Sequence, residues 1–289
     1  TRTWYRLSDD VDPALAADLA AAGREEVQER LAVLLDQAVL ATMQSDGPVA
    51  TLVSGGLDSS VVAAVACGAD PDHRLHAAAI GGPQDERAGA EALASALGRP
   101  LVVTPFTPEL VLEDWARCTW HHEAPIVTHL NALPLARVAA SVRAEGTTSV
   151  LTGEGADELF AGYPTMAARR QLDLLRMPYH LLRRAYGVVP GLAERVLPGG
   201  PSAEGYLAAL GDDFETARLG VDAETAFDHL APADARHGVL SYVALQGHLR
   251  TLLHRNDRMG MQHSVECRFP YLDVDVVRFG LNLPQRHKL

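Results

Sequence analysis

Thr51-Leu-Val-Ser-Gly-Gly-Leu-Asp-Ser-Ser60, followed by Val-Val-Ala-Ala-Val-Ala, reads as a short buried strand, a glycine turn and the first turns of a helix. Such a turn aims backbone N–H groups, serine hydroxyls and the positive end of a helix at one point, an arrangement that suits a phosphate. The loop has no lysine and does not fit the spacing of the common P-loop. Asp58 stands where that loop would carry its cation. A carboxylate among phosphate-binding groups makes sense if it holds Mg²⁺, a hard ion that prefers oxygen ligands and polyphosphate. The segment therefore suggests a Mg²⁺–pyrophosphate cradle of the kind used when ATP is cut between its α and β phosphates. The plain alternative, an ordinary Gly-Gly turn, accounts for the glycines but not for Asp58 and the three serines around them.

Outward from this turn the chain alternates. Apolar strands are expected at Pro48–Val53, Leu75–Ile80, Leu101–Thr104 and Thr148–Thr152. Helices are expected at Ser59–Cys67, Asp85–Leu97 (stopped by Gly98), Pro108–Cys118 and Leu133–Arg143. Strands alternating with helices predict an α/β fold, a parallel sheet of about five strands with helices on both faces. Ligands of such sheets bind beyond the carboxyl ends of the strands, where both glycine-rich loops of this chain fall. From about Thr165 to Leu289 the pattern is helical, broken by Pro and Gly, with no alternating strand. Leu197-Pro-Gly-Gly-Pro-Ser202 is its strongest breaker. The expected organisation is 1–45 as linker and helix, 46–164 as the α/β core, and 165–289 as a mostly helical C-terminal part.

Composition narrows the function classes. The formal charge of −12 over 289 residues argues against a nucleic-acid surface, and Lys288 is the only lysine. Cys67, Cys118 and Cys267 show no paired spacing, which reads as reduced thiols in a cytoplasm. No apolar run reaches the roughly 20 residues of a membrane span. The first residues, Thr1-Arg-Thr-Trp-Tyr-Arg-Leu7, resemble no signal peptide and lack an initiator Met, so the chain reads as starting inside a longer protein. His121, His122 and His129 near Glu123 fit no metal-ligand spacing. Cys118 and Cys267 read as small buried residues rather than nucleophiles.

Two further segments carry chemistry. Leu151-Thr-Gly-Glu-Gly-Ala-Asp-Glu-Leu-Phe-Ala-Gly-Tyr163 is a second strand-to-helix turn, with Glu154 and Asp157 able to face one crevice. Asp157 and Glu158 are equally readable as acidic first-turn residues that favour a helix N-terminus. The third segment is Arg255-Asn-Asp-Arg-Met-Gly-Met-Gln-His-Ser-Val-Glu-Cys-Arg-Phe-Pro-Tyr-Leu-Asp273. Taken singly, Glu266, Arg268 and Asp273 read as a structural ion-pair network joining the helical half to the sheet.

The first segment resembles the signature of the N-type ATP pyrophosphatases, and the other two narrow the likeness to the synthetase domain of the asparagine synthetase family, from about Pro48 onward. The resemblance implies an adenine nucleotide α-hydrolase-like fold with ATP and Mg²⁺ as cofactors. It implies a reaction in which a carboxylate is adenylated and an amine or ammonia then displaces AMP. Carried over, Ser54, Gly55, Gly56 and Ser59 hold phosphate, and Asp58 and Asp157 bind Mg²⁺. Leu52, Ile80, Thr152 and Gly153 contact the nucleotide. Glu154 contacts the substrate amino group or assists nitrogen attack. The implied partners are a small-molecule or peptide carboxylate, glutamine-derived ammonia or an amine, and an N-terminal glutaminase domain or subunit, with no nucleic acid and no membrane.

The chain departs from the family pattern in two places. It stops at Arg286-His-Lys-Leu289, before the family's catalytic lysine segment. Where many asparagine synthetases read D-E-P-x-x-D-P-S-A-I-P, it has Glu123-Ala-Pro-Ile-Val-Thr-His-Leu-Asn-Ala-Leu-Pro134. Ring-closing relatives, the β-lactam synthetases and lasso-peptide cyclases, keep the ATP site and change this region. A nucleotide-binding partner subunit without turnover is the remaining reading.

Overall fold

The computed structural model describes residues 5–82, 85–126, 130–163, 226–230 and 232–288; the breaker cluster at 197–202 and His129 lie outside them. In chain order the helices are α1 (Pro13–Ala21), α2 (Arg24–Thr42), α3 (Leu57–Ala69), α4 (Arg87–Leu97), α5 (Pro108–His122), α6 (Ala132–Ala144), α7 (Ala156–Phe160), α8 (Pro232–Gln246), α9 (His248–Met261), α10 (Val274–Asn282) and α11 (Gln285–Lys288). The strands are β1 (Val49–Leu52), β2 (Arg74–Ala79), β3 (Leu101–Pro105), β4 (Ser149–Leu151) and β5 (Glu266–Arg268). The chain divides into two compact units, Gln28–Gly155 with Leu249–Val276, and Thr1–Val27 with Ala156–His248 and Val277–Leu289.

The first unit holds the sheet. Its five strands are all parallel and run β3-β2-β1-β4-β5. Progress is outward from β1 to β2 to β3, after which the chain crosses back and lays β4 on the other side of β1. The strand order therefore reverses between β1 and β4, and the loops leaving those two strands open at the place where parallel sheets bind ligands. Period-two alternation sorts the strand residues between two cores. Val53, Leu75 and Ala77 pack with Ala63 and Cys67 of α3 and Ala90 and Ala94 of α4. Ala50, Leu52, Ala78 and Val150 pack on the opposite side with Val138, Ala139 and Val142 of α6. Helices thus cover both faces, as the alternating pattern requires. Alanine dominates the helix side of the first cluster, and its small volume lets α3 and α4 lie close on the strands.

β5 was not legible in advance. Three residues cannot display an alternation, and Glu266 and Arg268 place charges at both ends of the strand. The strand is held instead by partners outside it. Glu266 N–H donates to Thr148 O at 2.8 Å, and Thr152 N–H to Arg268 O at 3.0 Å. The Arg268 guanidinium donates to the carbonyls of Thr42 (2.8 Å) and Gln44 (2.7 Å), closing the C-terminal end of α2, and to Glu266 Oε2 at 3.1 Å. Glu266 and Arg268 thus pair within β5, while Asp273 accepts from the Asp275 N–H at 2.9 Å and bonds neither of them.

In the second unit, α7 packs against α8. Asp12 caps α1 through Ala14 and Leu15 and takes a charged bond from Arg278 of α10, while Asn282 ties α10 back to Asp10 and Asp12. The thiols of Cys67, Cys118 and Cys267 are unpaired. No described helix is long and apolar enough to cross a membrane.

Two features generate measurable expectations. Gly55 has φ +80°, and a β-carbon there would stand 2.5 Å from the carbonyl carbon of Gly89 in α4, backbone that cannot move aside. Gly55→Ala is therefore expected to lower unfolding free energy by about 2 kcal/mol, read from a urea midpoint, through left-handed strain and this overlap. His73 and His76 are both fully buried in the sheet unit. His73 Nε2 meets Thr51 Oγ1 at 2.8 Å, and neither ring nitrogen of His76 has a hydrogen bond. Burial pushes both imidazoles below their usual value of 6.5, with Asp70 and Glu145 respectively pulling the other way. Below pH 6.5 the unfolded chain then binds more protons than the folded one, so stability is complete above that pH and falls as the pH drops beneath it. His76→Leu is expected to flatten this acid limb in melting temperature against pH.

Candidate functional site

The loop after β1 is built by its own serines. Ser54 N–H donates to Ser59 Oγ at 3.2 Å, Gly56 N–H to Ser54 Oγ at 3.2 Å, and Ser60 Oγ–H to Gly56 O at 2.6 Å. Gly56 is the N-cap of α3 and offers no side-chain cap. The N–H groups of the first helical turn, those of Leu57, Asp58 and Ser59, have no acceptor within the helix, as at any helix start. A 13-residue helix adds its positive end at the same point. Gly55, Gly56 and Leu57 are exposed, Asp58 is half-buried and Ser59 is buried, so the loop is open on one side and anchored on the other.

The loop after β4 lies against it. A β-carbon on Gly153 would stand 2.7 Å from Ser59 N and 3.1 Å from Asp58 Cβ, so only glycine permits this approach. Of the expected site residues, Gly153 is thereby brought against Asp58 and Ser59, and Ser54, Gly55, Gly56, Thr152 and Glu154 belong to the same two loops of the sheet unit. Thr152 is buried and its hydroxyl has no hydrogen-bond partner. A buried orphan hydroxyl beside a helix N-terminus is where a ligand oxygen would be satisfied. Leu52 is the last residue of β1 and packs partly on the α6 core. Ile80, 39% exposed, follows β2 directly at the same carboxyl edge of the sheet.

Behind the loops stands the third sequence segment. Tyr271 Oη–H donates to Asp58 O at 3.3 Å, and Leu272 fills the space beside Gly155. Arg255 Nη2 donates to Glu154 Oε1 at 2.5 Å, and Asn256 Nδ2 donates to the same oxygen at 3.2 Å. Sequence reading quoted this segment but gave neither residue a role, because nothing local signals a pair separated by 101 positions. Glu86 was missed too. It bonds the Ser54 hydroxyl, and burial raises its carboxyl above the usual range while that bond pulls it down. Asp157 opens α7 in the other unit, with its carboxylate lying over Gly162 in the space a β-carbon there would occupy. Glu158 beside it is buried and accepts from Tyr163 Oη–H at 2.6 Å.

Of the histidines near Glu123, His122 meets His254 edge-on with ring centroids 4.9 Å apart, and His254 Nε2 meets the His122 carbonyl at 2.9 Å. Among the described residues no three His, Cys, Asp or Glu side chains gather as a metal-holding group. Mg²⁺ does not need one, since it is commonly held by one or two carboxylates together with substrate phosphate and water. The loop serines, the Asp58 carboxylate and the start of α3 are the kinds of group that suit a phosphate and a hard cation.

The chain is 28% identical over 272 residues to asparagine synthetase [glutamine-hydrolyzing] 1 of Bacillus subtilis, covering 85% of the chain and 42% of that protein. It is 28% identical over 294 residues to a putative asparagine synthetase [glutamine-hydrolyzing] of Mycobacterium tuberculosis, covering 90% of the chain and 43% of the relative. It is 31% identical over 180 residues to Amidase chyE of Penicillium rubens, covering 55% and 25%. The chain thus spans less than half the length of these curated relatives. The family described as asparagine synthase matches residues 30–289, and on that match, over the same strand-end loops, the chain belongs to the asparagine synthase family.

Proposed function

We propose that this chain is the synthetase part of an ATP-dependent, AMP-forming amide synthetase of the asparagine synthetase type. The observation that carries the reading is the contact of the β4 loop with the start of α3 at the point where the strand order reverses. In this reading Ser54, Gly55, Gly56 and Ser59 bind the departing pyrophosphate, and Asp58 and Asp157 hold Mg²⁺. Thr152, Gly153, Leu52 and Ile80 contact the nucleotide. Bound Mg²⁺ supplies charge neutralisation as an anionic carboxylate approaches the α-phosphate. The chain's own part is to orient the phosphates against fixed dipoles in a water-poor crevice. Glu154 then serves the nitrogen that displaces AMP. The nitrogen source is ammonia from glutamine, supplied by a glutaminase domain or subunit, or a substrate amine. The setting is taken as cytoplasmic, with neither membrane nor nucleic acid involved.

A second reading is ring closure within one substrate, as in β-lactam synthetases and lasso-peptide cyclases. It is favoured by the segment Glu123–Pro134, which lacks D-P-S, and by Glu123 itself, which is committed to Arg258 at 3.0 Å. Exchange of labelled pyrophosphate into ATP separates the readings. Exchange supported by aspartate is expected for the first. Exchange only with another carboxylic acid of a panel is expected for the second, and none with any acid removes both. Asp58→Asn is expected to weaken Mg-ATP binding in calorimetry at least about tenfold, through loss of a metal ligand, with an unchanged melting temperature.

A further inference from the structure

The Glu154 carboxylate is gripped on one side only. Arginine–carboxylate pairs are frequently bidentate, the fork meeting both oxygens. Here Arg255 Nη2 and Asn256 Nδ2 converge on Oε1, at 2.5 and 3.2 Å, and among the described residues no bond reaches Oε2. The donors are themselves fixed. Arg255 and Asn256 are 5% and 2% exposed, against 25% for the Glu154 side chain. Arg255 Nε and Nη2 both donate to Asn256 Oδ1, at 3.0 and 2.9 Å, closing a triangle of three side chains. The Asn256 carbonyl accepts from the Cys267 thiol at 3.4 Å; burial pushes that thiol up to about 12, so it stays a donor. Cys267 sits opposite Val150 in the register of β4 and β5, four positions before Glu154. The clamp residues stand on α9, and the Cys267 thiol ties that helix to the strand pair from which Glu154 follows, so both sides of the contact rest on regular elements.

We infer that Arg255 and Asn256 are positioning residues for Glu154: they occupy Oε1 and leave Oε2 as the one acceptor offered to the attacking nitrogen. This rests on the amide-synthetase reading and assigns the clamp to its second half. In that step the C–N bond forms as the carbon–oxygen bond to the α-phosphate breaks. AMP leaves with the bonding pair, and one nitrogen proton passes to Oε2 and on to solvent. A clamp that serves this step bears on amide formation far more than on adenylation. A clamp that only props the fold affects both halves alike.

The test uses the full chain and the carboxylic acid that supports pyrophosphate exchange in the unaltered protein, with ammonium chloride as the amine. Arg255→Met is expected to slow amide formation about a hundredfold, in the range of a positioned proton acceptor, with at least tenfold less effect on exchange. Arg255→Lys, which keeps charge without the fork, should recover part of that loss. Adding Arg255→Met to Glu154→Gln should bring no further loss, because the clamp then has nothing to hold. That double variant leaves no unpaired buried charge, so it remains informative if Arg255→Met alone does not fold. Parallel loss in both halves, or a double variant clearly slower than Glu154→Gln, overturns the inference while the amide-synthetase reading stands. Absence of exchange with every acid in the unaltered protein removes that reading, and this inference with it.

Discussion

The close approach of two backbones, Gly153 against the first turn of α3, is the constraint from which the candidate site follows. Parallel strands place every carboxyl end on one edge, but only the return of the chain to the far side of β1 makes the loops of β1 and β4 neighbours. Once they are neighbours, glycine is required where they meet. Helix dipole, serine hydroxyls and Asp58 are then local consequences of how β1 hands over to α3. Each serine of the first loop is engaged with a backbone group or with another serine of the same loop.

The sheet and its first four strands were legible because each announces itself locally: apolar runs of suitable length, Gly98 in the left-handed conformation at the end of α4, and Pro108 inside the start of α5. Helix ends moved by a few residues, as with α5, which runs on to His122 because Glu123 takes up a left-handed turn there. β5 was invisible for a different reason. Its existence depends on β4 and on the end of α2, more than a hundred positions away, and not on any period of its own. The same holds at the site. The glycine and serine positions could be named from spacing, whereas the grip on Glu154 arises only when α9 is laid beside the sheet. Local chemistry is written in the sequence, and long-range pairing is written only in the fold.

Polar groups buried under the site show how the unit tolerates charge. Arg255 is buried yet satisfied by Asn256 and Glu154, and Arg268 spends its donors on carbonyls at a helix end. Such groups are retained at the expense of simple hydrophobic packing, since each would be destabilising if its partner were removed. The two buried histidines instead stay neutral, which ties the sheet to pH values above their titration.

The sheet unit is also discontinuous: Gln28–Gly155 is completed by Leu249–Val276 after an excursion through the other unit. During synthesis the first four strands emerge well before their fifth, and the edge of β4 waits unpaired until residues 266–268 arrive. A nascent chain in that interval presents an open strand edge and a half-built crevice, so loop-closure entropy must be met before the last hydrogen bonds repay it. Until the last strand arrives, that edge is open to pairing with other chains, independent of any chemistry the finished fold performs.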